Sequence, residues 1–468
     1  MLICGKRIDS DRTLEVRNPY DNALLSQLPI AEKEHVDRAV ASARRGFELM
    51  RKMPAHQRAD ILFKTAGLLR ERIEDFAHTL ASECGKTIRE ARGEVGRAIE
   101  TITLSSEEAK RIMGETVPFD ASPAGAGKSG YYTRVPIGVV AAISPFNFPL
   151  NLVCHKVAPA LAAGNSVVLK PASATPLIAL KLGETFLEAG LPPEALGIII
   201  GPGDTTGAAL VSHPDVRMIS FTGSRDVGRD ICRTAGMKKI ALELGSNSAV
   251  VVTPDADLGW AVERIVSGAY ALAGQVCISV QNVYVHTAIA DEMQKRLLER
   301  VTQLKLGNQL HEDTDMGPLI TATAVDRVAE WVDEAVAEGA TLLTGGERKD
   351  TFITPMVLSN VTGDMRIVKE EAFAPLINLL SYQDITSAIE RINQSYYGLQ
   401  AGIFTQTLSD ALLFAREVDA GGIIVNDVPT FRIDLMPYGG MKHSGLGREG
   451  PRFAIREMTE PKLVAFHE

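Results

Sequence analysis

Apolar residues recur at helical spacing through most of residues 33–113. The stretches AVASARRGFELM, QRADILFKTAGLLRERIEDFAHTLA and IREARGEVGRAIETITLSSEEAKRIM carry them at i, i+3 and i+4, and predict three long amphipathic helices. Ahead of them, residues 2–8 and 13–17 have strand-like patterns, closed by the turn Asn18-Pro19-Tyr20-Asp21-Asn22. SPAGAGKSG, around 121–130, predicts a flexible loop, and YYTRVPIGVV a strand.

From residue 136 the texture changes. IGVVAAISP, NSVVLKPA, LGIIIGPG, VRMISFTGS, KIALELG and SAVVVTP are short β-rich apolar runs, ended by Gly, Pro or Ser, with helical patterns between most of them. Strands apolar on both faces, alternating with helices, imply a buried parallel sheet and an α/β fold. The pattern returns after 280 in NVYVHTAI, TLLTGG, APLINLLSY, AGIFT and GGIIVND, which predicts a second α/β domain, with a boundary near 243–250. The last twenty or so residues are expected to return and pair elsewhere.

Length and composition narrow the class. A chain of 468 residues suggests two or three domains. A formal net charge of −9 argues against nucleic acid as a partner, which calls for a basic footprint. Five cysteines, widely spaced and without a CxxC, form neither a disulfide framework nor a zinc pattern, so no metal is expected and a reduced, cytoplasmic setting fits. The N-terminus has no long apolar run of the signal-peptide kind. Runs such as 137–143 and 157–163 are far short of the roughly 20 residues that span a bilayer.

Several residues can carry chemistry. Cys277 follows the small-residue approach ALAG, which leaves a thiol reachable by substrate; the plain alternative is a buried structural cysteine, the commoner fate. The other cysteines lack this setting, and Cys154 and Cys232 read as helix core. Glu243 ends an apolar strand before Gly245, so it is either a solvated strand end or, with Cys277, a base able to activate water. Asn147 lies in the shaped loop ISPFNFPLN and either satisfies local backbone or donates to an oxyanion. Lys170 stands at the carboxyl end of a strand, where open α/β sheets bind ligands. Ser224, after Gly223, is a natural N-cap, and a bare helix N-terminus attracts phosphate. Gly201, Gly203 and Gly207 approach GxGxxxG, a weak motif because glycines at strand ends are common.

Taken in order, PFNFP (145–149), KPASATP (170–176), FTGS (221–224), LELG (242–245), GQVC (274–277), EEAFAP (370–375) and PYGGMKHSGLGREG (437–450) resemble the NAD(P)-dependent aldehyde dehydrogenase superfamily along nearly the whole chain. They look most like its lactaldehyde dehydrogenase and succinate-semialdehyde dehydrogenase branches. The resemblance implies a Rossmann-type cofactor domain (1–114 and 136–243), an α/β catalytic domain (244–431) and a small β oligomerisation arm (115–135 and 452–468), in a homodimer or homotetramer.

The resemblance also implies roles. Cys277 falls on the nucleophile, Glu243 on the general base and Asn147 on the oxyanion donor, whose partner donor is the Cys277 N–H. Lys170 and Glu371 fall on the ribose-holding positions and Ser224 on the N-cap beneath the pyrophosphate. Phe146, Ser173, Gly203, Gly207, Gly223, Leu244 and Phe373 are the other expected cofactor contacts. Glu460 resembles an outer carboxylate that relays protons. Arg97, Phe148 and Arg432 are candidates for substrate contact; each arginine reads equally well as an ion-pair residue.

Departures from the family pattern are small at Ser246 and Ala374, both expected to alter packing more than chemistry. Ser173 matters more, because NAD-selective members often place a carboxylate there; its absence implies that NADP is tolerated, or preferred. Val276 stands where relatives that use strongly anionic substrates often have Arg. The expected substrate is therefore a short polar aldehyde such as lactaldehyde or glycolaldehyde, with succinate semialdehyde and glyceraldehyde 3-phosphate as alternatives. CoA-acylating dehydrogenation is the nearest rival, disfavoured because Glu243 is present. A cofactor-free cysteine hydrolase and a non-catalytic protein are the others.

Overall fold

The computed structural model describes residues 1–467. Its first sheet has eight strands, in the order Lys6–Arg7, Leu2–Ile3, Leu196–Ile198, Ser166–Lys170, Val139–Ile143, Val216–Thr222, Lys239–Glu243 and Gly445–Leu446. The five inner strands are parallel, and both edges are antiparallel. Among the inner strands the chain winds outward in both directions from Val139–Ile143. The order reverses between that strand and Val216–Thr222, and open α/β sheets bind ligands outside the carboxyl ends at such a point.

Alternation along Val139–Ile143 shows why the run is apolar throughout. Val140 and Ala142 pack into one core with the helices Ala55–Glu71, Ile88–Ala109 and Asn151–Ala162. Val139, Ala141 and Ile143 pack into another, with Val36, Ala39 and Val40. Both faces of the sheet are covered, so neither tolerates polar residues.

A second sheet of seven strands runs Thr341–Thr344, Met356–Ser359, Leu376–Tyr382, Asn282–His286, Ala249–Val252, Gln400–Phe404 and Gly422–Val425. All but its first strand are parallel. A third, three-stranded sheet pairs Lys128–Pro136 with Glu115–Thr116 and with Thr459–His467. The helix Pro451–Glu457 lies against Asn151–Ala162 and Ile88–Ala109. Among the described residues, no helix is long and apolar enough to cross a membrane.

Local structure departs from the sequence reading in four places. The stretch 33–109 forms four helices rather than three, because Arg72 leaves helical geometry (φ −121°, ψ 25°) between Ala55–Glu71 and Ile73–Cys84. Its guanidinium is anchored on Glu188 at 2.6–2.7 Å, while the apolar face continues across the break. Residues 2–7 form a hairpin, with Cys4 and Gly5 at positive φ, rather than one strand. The expected loop near 121–130 contains two short 3-10 turns and runs into strand at Lys128. Cys154 is buried as expected, but Cys232 is exposed. Only Gly228 and Ile231 are buried in its helix, and Cys232 lies off that face.

Candidate active site

Cys277 follows a backbone of unusual hand. Leu272, Ala273 and Gly274 have φ of 48°, 51° and 71°. For the two L-residues this conformation costs about 1–2 kcal/mol each. Surrounding bonds hold it. Leu272 N–H donates to Glu90 Oε1 (2.8 Å), Gln275 Nε2 donates to the Leu272 carbonyl (3.0 Å), and Ile320 N–H donates to Gln275 Oε1 (2.9 Å). Glu90 is itself fixed by a capping box with Thr87 at the start of Ile88–Ala109. At Gly274 a side chain is impossible, since a Cβ would lie 2.1 Å from the Ala374 carbonyl oxygen.

Asn147 comes from the loop after strand Val139–Ile143. Its Nδ2 donates to the Gln275 carbonyl at 2.9 Å, and its Oδ1 accepts from Phe148 N–H at 3.1 Å. The second Nδ2 proton remains available. The Cys277 N–H meets no acceptor among the described residues. Two donors therefore stand beside the thiol without a protein acceptor. The Asn147 loop is braced from below. Cys84 Sγ donates to the Phe146 carbonyl at 3.2 Å, and Glu94 Oε1 accepts from Leu150 and Asn151 N–H at 2.9 and 3.0 Å. The buried Lys86 pairs with Glu94 and stands 4.1 Å from the Phe148 ring centroid.

Glu243 ends strand Lys239–Glu243 and is buried, with no hydrogen-bond partner for its Oε2. Burial pushes its pKa well above the usual carboxylate range, and the negative charge of Glu449 adds to this. Arg432, Lys156 and Arg448 act in the opposite sense. Glu449 is buried yet held down at about 2, despite its desolvation, by Lys156 and Arg432. Lys156 Nζ lies 3.0 Å from its Oε1 and Arg432 Nη2 3.0 Å from its Oε2.

The carboxylate facing Glu243 is therefore Glu449, not Glu460. Glu460 lies on the exposed strand Thr459–His467, paired with Lys239 at 3.0 Å. Sequence reading passed over Glu449, Lys156 and Tyr438. The available signal was a lone lysine inside the wholly buried helix NLVCHKVAPALA, which demands a buried anion.

Tyr438 Oη is 3.1 Å from Cys277 Sγ. Burial pushes the Cys277 thiol up to about 12. The Tyr438 hydrogen bond opposes this, Glu371 and Glu243 reinforce it, and Arg432 also opposes it.

One cleft of about 910 Å³ gathers Phe146, Asn147, Gly223, Ser224, Glu243, Leu244, Cys277, Glu371 and Phe373. A neighbouring pocket of about 450 Å³, at the strand-order reversal, is lined by Lys170, Gly203 and Gly207. Ser173 lines neither; its Oγ donates to the Gly201 carbonyl at 3.0 Å. The two volumes flank the start of helix Arg225–Thr234, which Ser224 caps by accepting from Val227 N–H.

These residues suit a dinucleotide. Lys170 is nearly buried and donates only to the Pro171 carbonyl, and burial brings its pKa down to about 8. Glu371 accepts from Ser246 N–H at 3.1 Å, and burial raises it to about 7. A Cβ at Gly245 would lie 2.2 Å from Glu371 Oε2, so the glycine is what admits this carboxylate. Phe373 (φ 50°) meets Phe146 edge-on, with ring centroids 5.9 Å apart. The N-terminus of a helix suits phosphate, and a desolvated lysine and carboxylate suit ribose hydroxyls.

Phe148 lies with Cys277 in an apolar cluster that includes Cys84, Leu272, Val276 and Tyr438. The Arg97 guanidinium stands 5.9 Å from the Phe148 ring centroid and grips Asp434 with two bonds, of 3.1 and 2.8 Å. Its side chain keeps 30% of its exposure. The Arg432 side chain is buried, stacked 3.7 Å from the Tyr438 ring centroid, and its Nε has no partner. Both arginines are thus in ion pairs, and neither lines the large cleft.

Comparisons with known proteins agree with this geometry. A model of the aldehyde dehydrogenase family matches residues 7–464. The chain is 48% identical over 454 residues to a 3-sulfolactaldehyde dehydrogenase of Priestia aryabhattai, covering 97% of this chain and 95% of that one. It is similar to the crystal structure of aldehyde dehydrogenase 21 from Physcomitrella patens in complex with the reaction product succinate. There identity is 40%, the TM-score 0.97, and coverage 100% and 98% of the two chains. It is also similar to glyceraldehyde-3-phosphate dehydrogenase from Methanocaldococcus jannaschii complexed with NADP, with 38% identity, a TM-score of 0.94 and 98% and 100% coverage. With that likeness across its whole length, and a thiol and a buried carboxylate lining one cleft, the chain belongs to the aldehyde dehydrogenase family and is an NAD(P)-dependent aldehyde dehydrogenase.

Proposed function

We propose that this enzyme oxidises a short polar aldehyde carrying a distal anionic group to the free acid, through a thioester on Cys277. The observation that carries the reading is that Cys277 and Glu243 line one cleft, and that Glu243 Oε2 is buried without a partner. In this reading Cys277 as thiolate attacks the aldehyde carbon. Asn147 Nδ2 and the Cys277 N–H receive the oxyanion, donors fixed in advance where charge develops. Lys170, Glu371 and the helix start at Ser224 would hold a nicotinamide dinucleotide, which would supply the hydride acceptor. Glu243 then takes a proton from water, whose oxygen adds to the thioester carbon and displaces the Cys277 thiolate as the acid forms. A base in the cleft favours water over CoA as acceptor.

The substrate proposal rests on Arg97, which keeps an exposed edge beside Phe148. Two of the similar proteins above are named for a sulfonated and a phosphorylated aldehyde, and the third is in complex with its product succinate, which supports a distal anion. An uncharged hydroxyaldehyde such as lactaldehyde is the second reading, favoured by the Asp434 carboxylate that already neutralises Arg97. Ser173 offers no carboxylate to repel a 2′-phosphate, which supports use of NADP. The arm is proposed to join subunits, since Leu463 and Phe466 are exposed on its edge strand. The domain division 1–114 with 136–243, 244–431, and 115–135 with 452–468 belongs to the same proposal.

The test is a panel of aldehydes with both cofactors and no CoA. Free acid is expected from the wild type. Glu243→Gln should stop after one turnover with the acyl group on Cys277, visible by intact-mass measurement. Arg97→Met should raise KM about tenfold or more for an anionic three-carbon aldehyde, the scale of a charged hydrogen bond, and leave propionaldehyde unaffected. An equal loss on both substrates defeats the substrate reading, and full activity of Cys277→Ser defeats the mechanism.

A further inference from the structure

Three contacts close a frame around the nucleophile. Tyr438 and Glu449 pair through their backbones, Tyr438 N–H to the Glu449 carbonyl at 3.1 Å and Glu449 N–H to the Tyr438 carbonyl at 2.6 Å. The Glu449 carboxylate holds Arg432 at 3.0 Å, and Arg432 lies flat on the Tyr438 ring, 3.7 Å from its centroid. Each residue thus fixes the other two, and all three side chains are buried. The frame leaves the Tyr438 hydroxyl one direction to point, and there it meets Cys277 Sγ at 3.1 Å.

On the side away from the cleft the thiol packs against an apolar cluster of Cys84, Leu272, Val276, Ile278 and Leu399. Among the described residues Tyr438 is the sole hydrogen-bond partner of that sulfur. We propose that Tyr438 is a catalytic residue, whose hydroxyl donates to the Cys277 thiolate and stabilises the nucleophile's ionised form. A thiolate has no proton to give, so in the reactive state only the phenol can be the donor. An anion in an apolar wall needs such a donor, because burial without one drives it to the neutral form.

The charged groups acting on the thiol are mixed. Arg432, behind the ring, favours the thiolate; Glu243 and Glu371, across the cleft, oppose it. The hydroxyl is the group in direct contact. When the sulfur bonds to the aldehyde carbon its negative charge moves to the oxygen and the phenol is released, without itself losing a proton.

This inference rests on Cys277 being the nucleophile, and its test separates the two. Tyr438→Phe keeps the ring and its stack on Arg432, so the frame survives. The readout is the pH dependence of iodoacetamide alkylation, followed by mass spectrometry on the Cys277 peptide so that the exposed Cys232 does not interfere. The alkylation midpoint is expected to rise by about one pH unit or more, with about a tenfold slower reaction at pH 7, the effect of a lost hydrogen bond to a charged group. Aldehyde kcat/KM should fall by a similar factor, with the Kd of NADP unchanged. An unshifted midpoint in Tyr438→Phe overturns the proposal, even if Cys277→Ser is inactive. Activity in Cys277→Ser overturns the nucleophile reading on which it rests.

Discussion

Lys156 Nζ lies 3.0 Å from Glu449 Oε1, and both side chains are buried beside Glu243. Glu243 must lose its proton to activate water, and the fixed negative charge of Glu449 makes that harder. In Glu449→Gln that charge is gone, while Lys156 and Arg432 remain as cations that favour ionised Glu243. The acidic limb of the deacylation pH profile is expected to move down by about one unit, the order of shift a close charge imposes. Stability pays for it, since unpairing buried charges costs on the order of 3–5 kcal/mol. Single-turnover hydrolysis against pH, with Tm alongside, checks both signs. A profile that moves upward contradicts the account.

Glu371 is raised to about 7 by burial, so it titrates near neutrality. Its ionised form is the stronger acceptor for ribose hydroxyls. Binding therefore favours the deprotonated carboxylate, and affinity is lost as pH falls through the pKa. The Kd of NAD+, which lacks the 2′-phosphate, is expected to rise severalfold from pH 8 to pH 6. In Glu371→Gln the Kd should be weaker and flat across the same range. Fluorescence titration or calorimetry distinguishes these outcomes.

Ser173 ends its hydrogen bonding at the Gly201 carbonyl and brings no charge. Ser173→Glu introduces the carboxylate that binds a 2′-hydroxyl and repels a 2′-phosphate. The ratio of kcat/KM for NADP over NAD is expected to fall about 100-fold, some 2.7 kcal/mol. An unchanged ratio removes position 173 from cofactor choice.

Gly274 stands three residues before the thiol at φ 71°, with the Ala374 carbonyl 2.1 Å from where a Cβ would sit. Gly274→Ala must push the turn away from Ala374 and carry Cys277 with it. A shift on the order of 1 Å costs about 100-fold in kcat. The cofactor residues lie on other segments, so the Kd of NADP should change little. A variant with normal kcat would show that the turn does not position the thiol.

Much of this protein was legible in one dimension. Strand Val139–Ile143 is apolar on both faces because helices cover both sides, and an all-apolar run states this directly. Cys277, Glu243 and Asn147 each stood out by residue type beside a turn or strand end, and each also had a plain structural reading. Seven motifs in order then tied them to one chemistry. These are local properties, settled by residues a few positions apart.

Folding decided what depends on distant partners. Glu449 lies within the glycine-rich C-terminal motif and Glu460 just beyond it, but only the chain's path turns Glu449 inward to Lys156 and sends Glu460 out along an exposed strand to Lys239. Arg432 and Asp434 alternate with the exposed Phe431, Ile433 and Leu435, an inverted pattern that makes sense only once Glu449, Arg97 and His155 are in place to receive the charges. The helix break at Arg72 and the exposure of Cys232 are of the same kind. Periodicity reports which face of an element is apolar; which charges meet behind that face is set by long-range packing, where the energies of burial and pairing are largest.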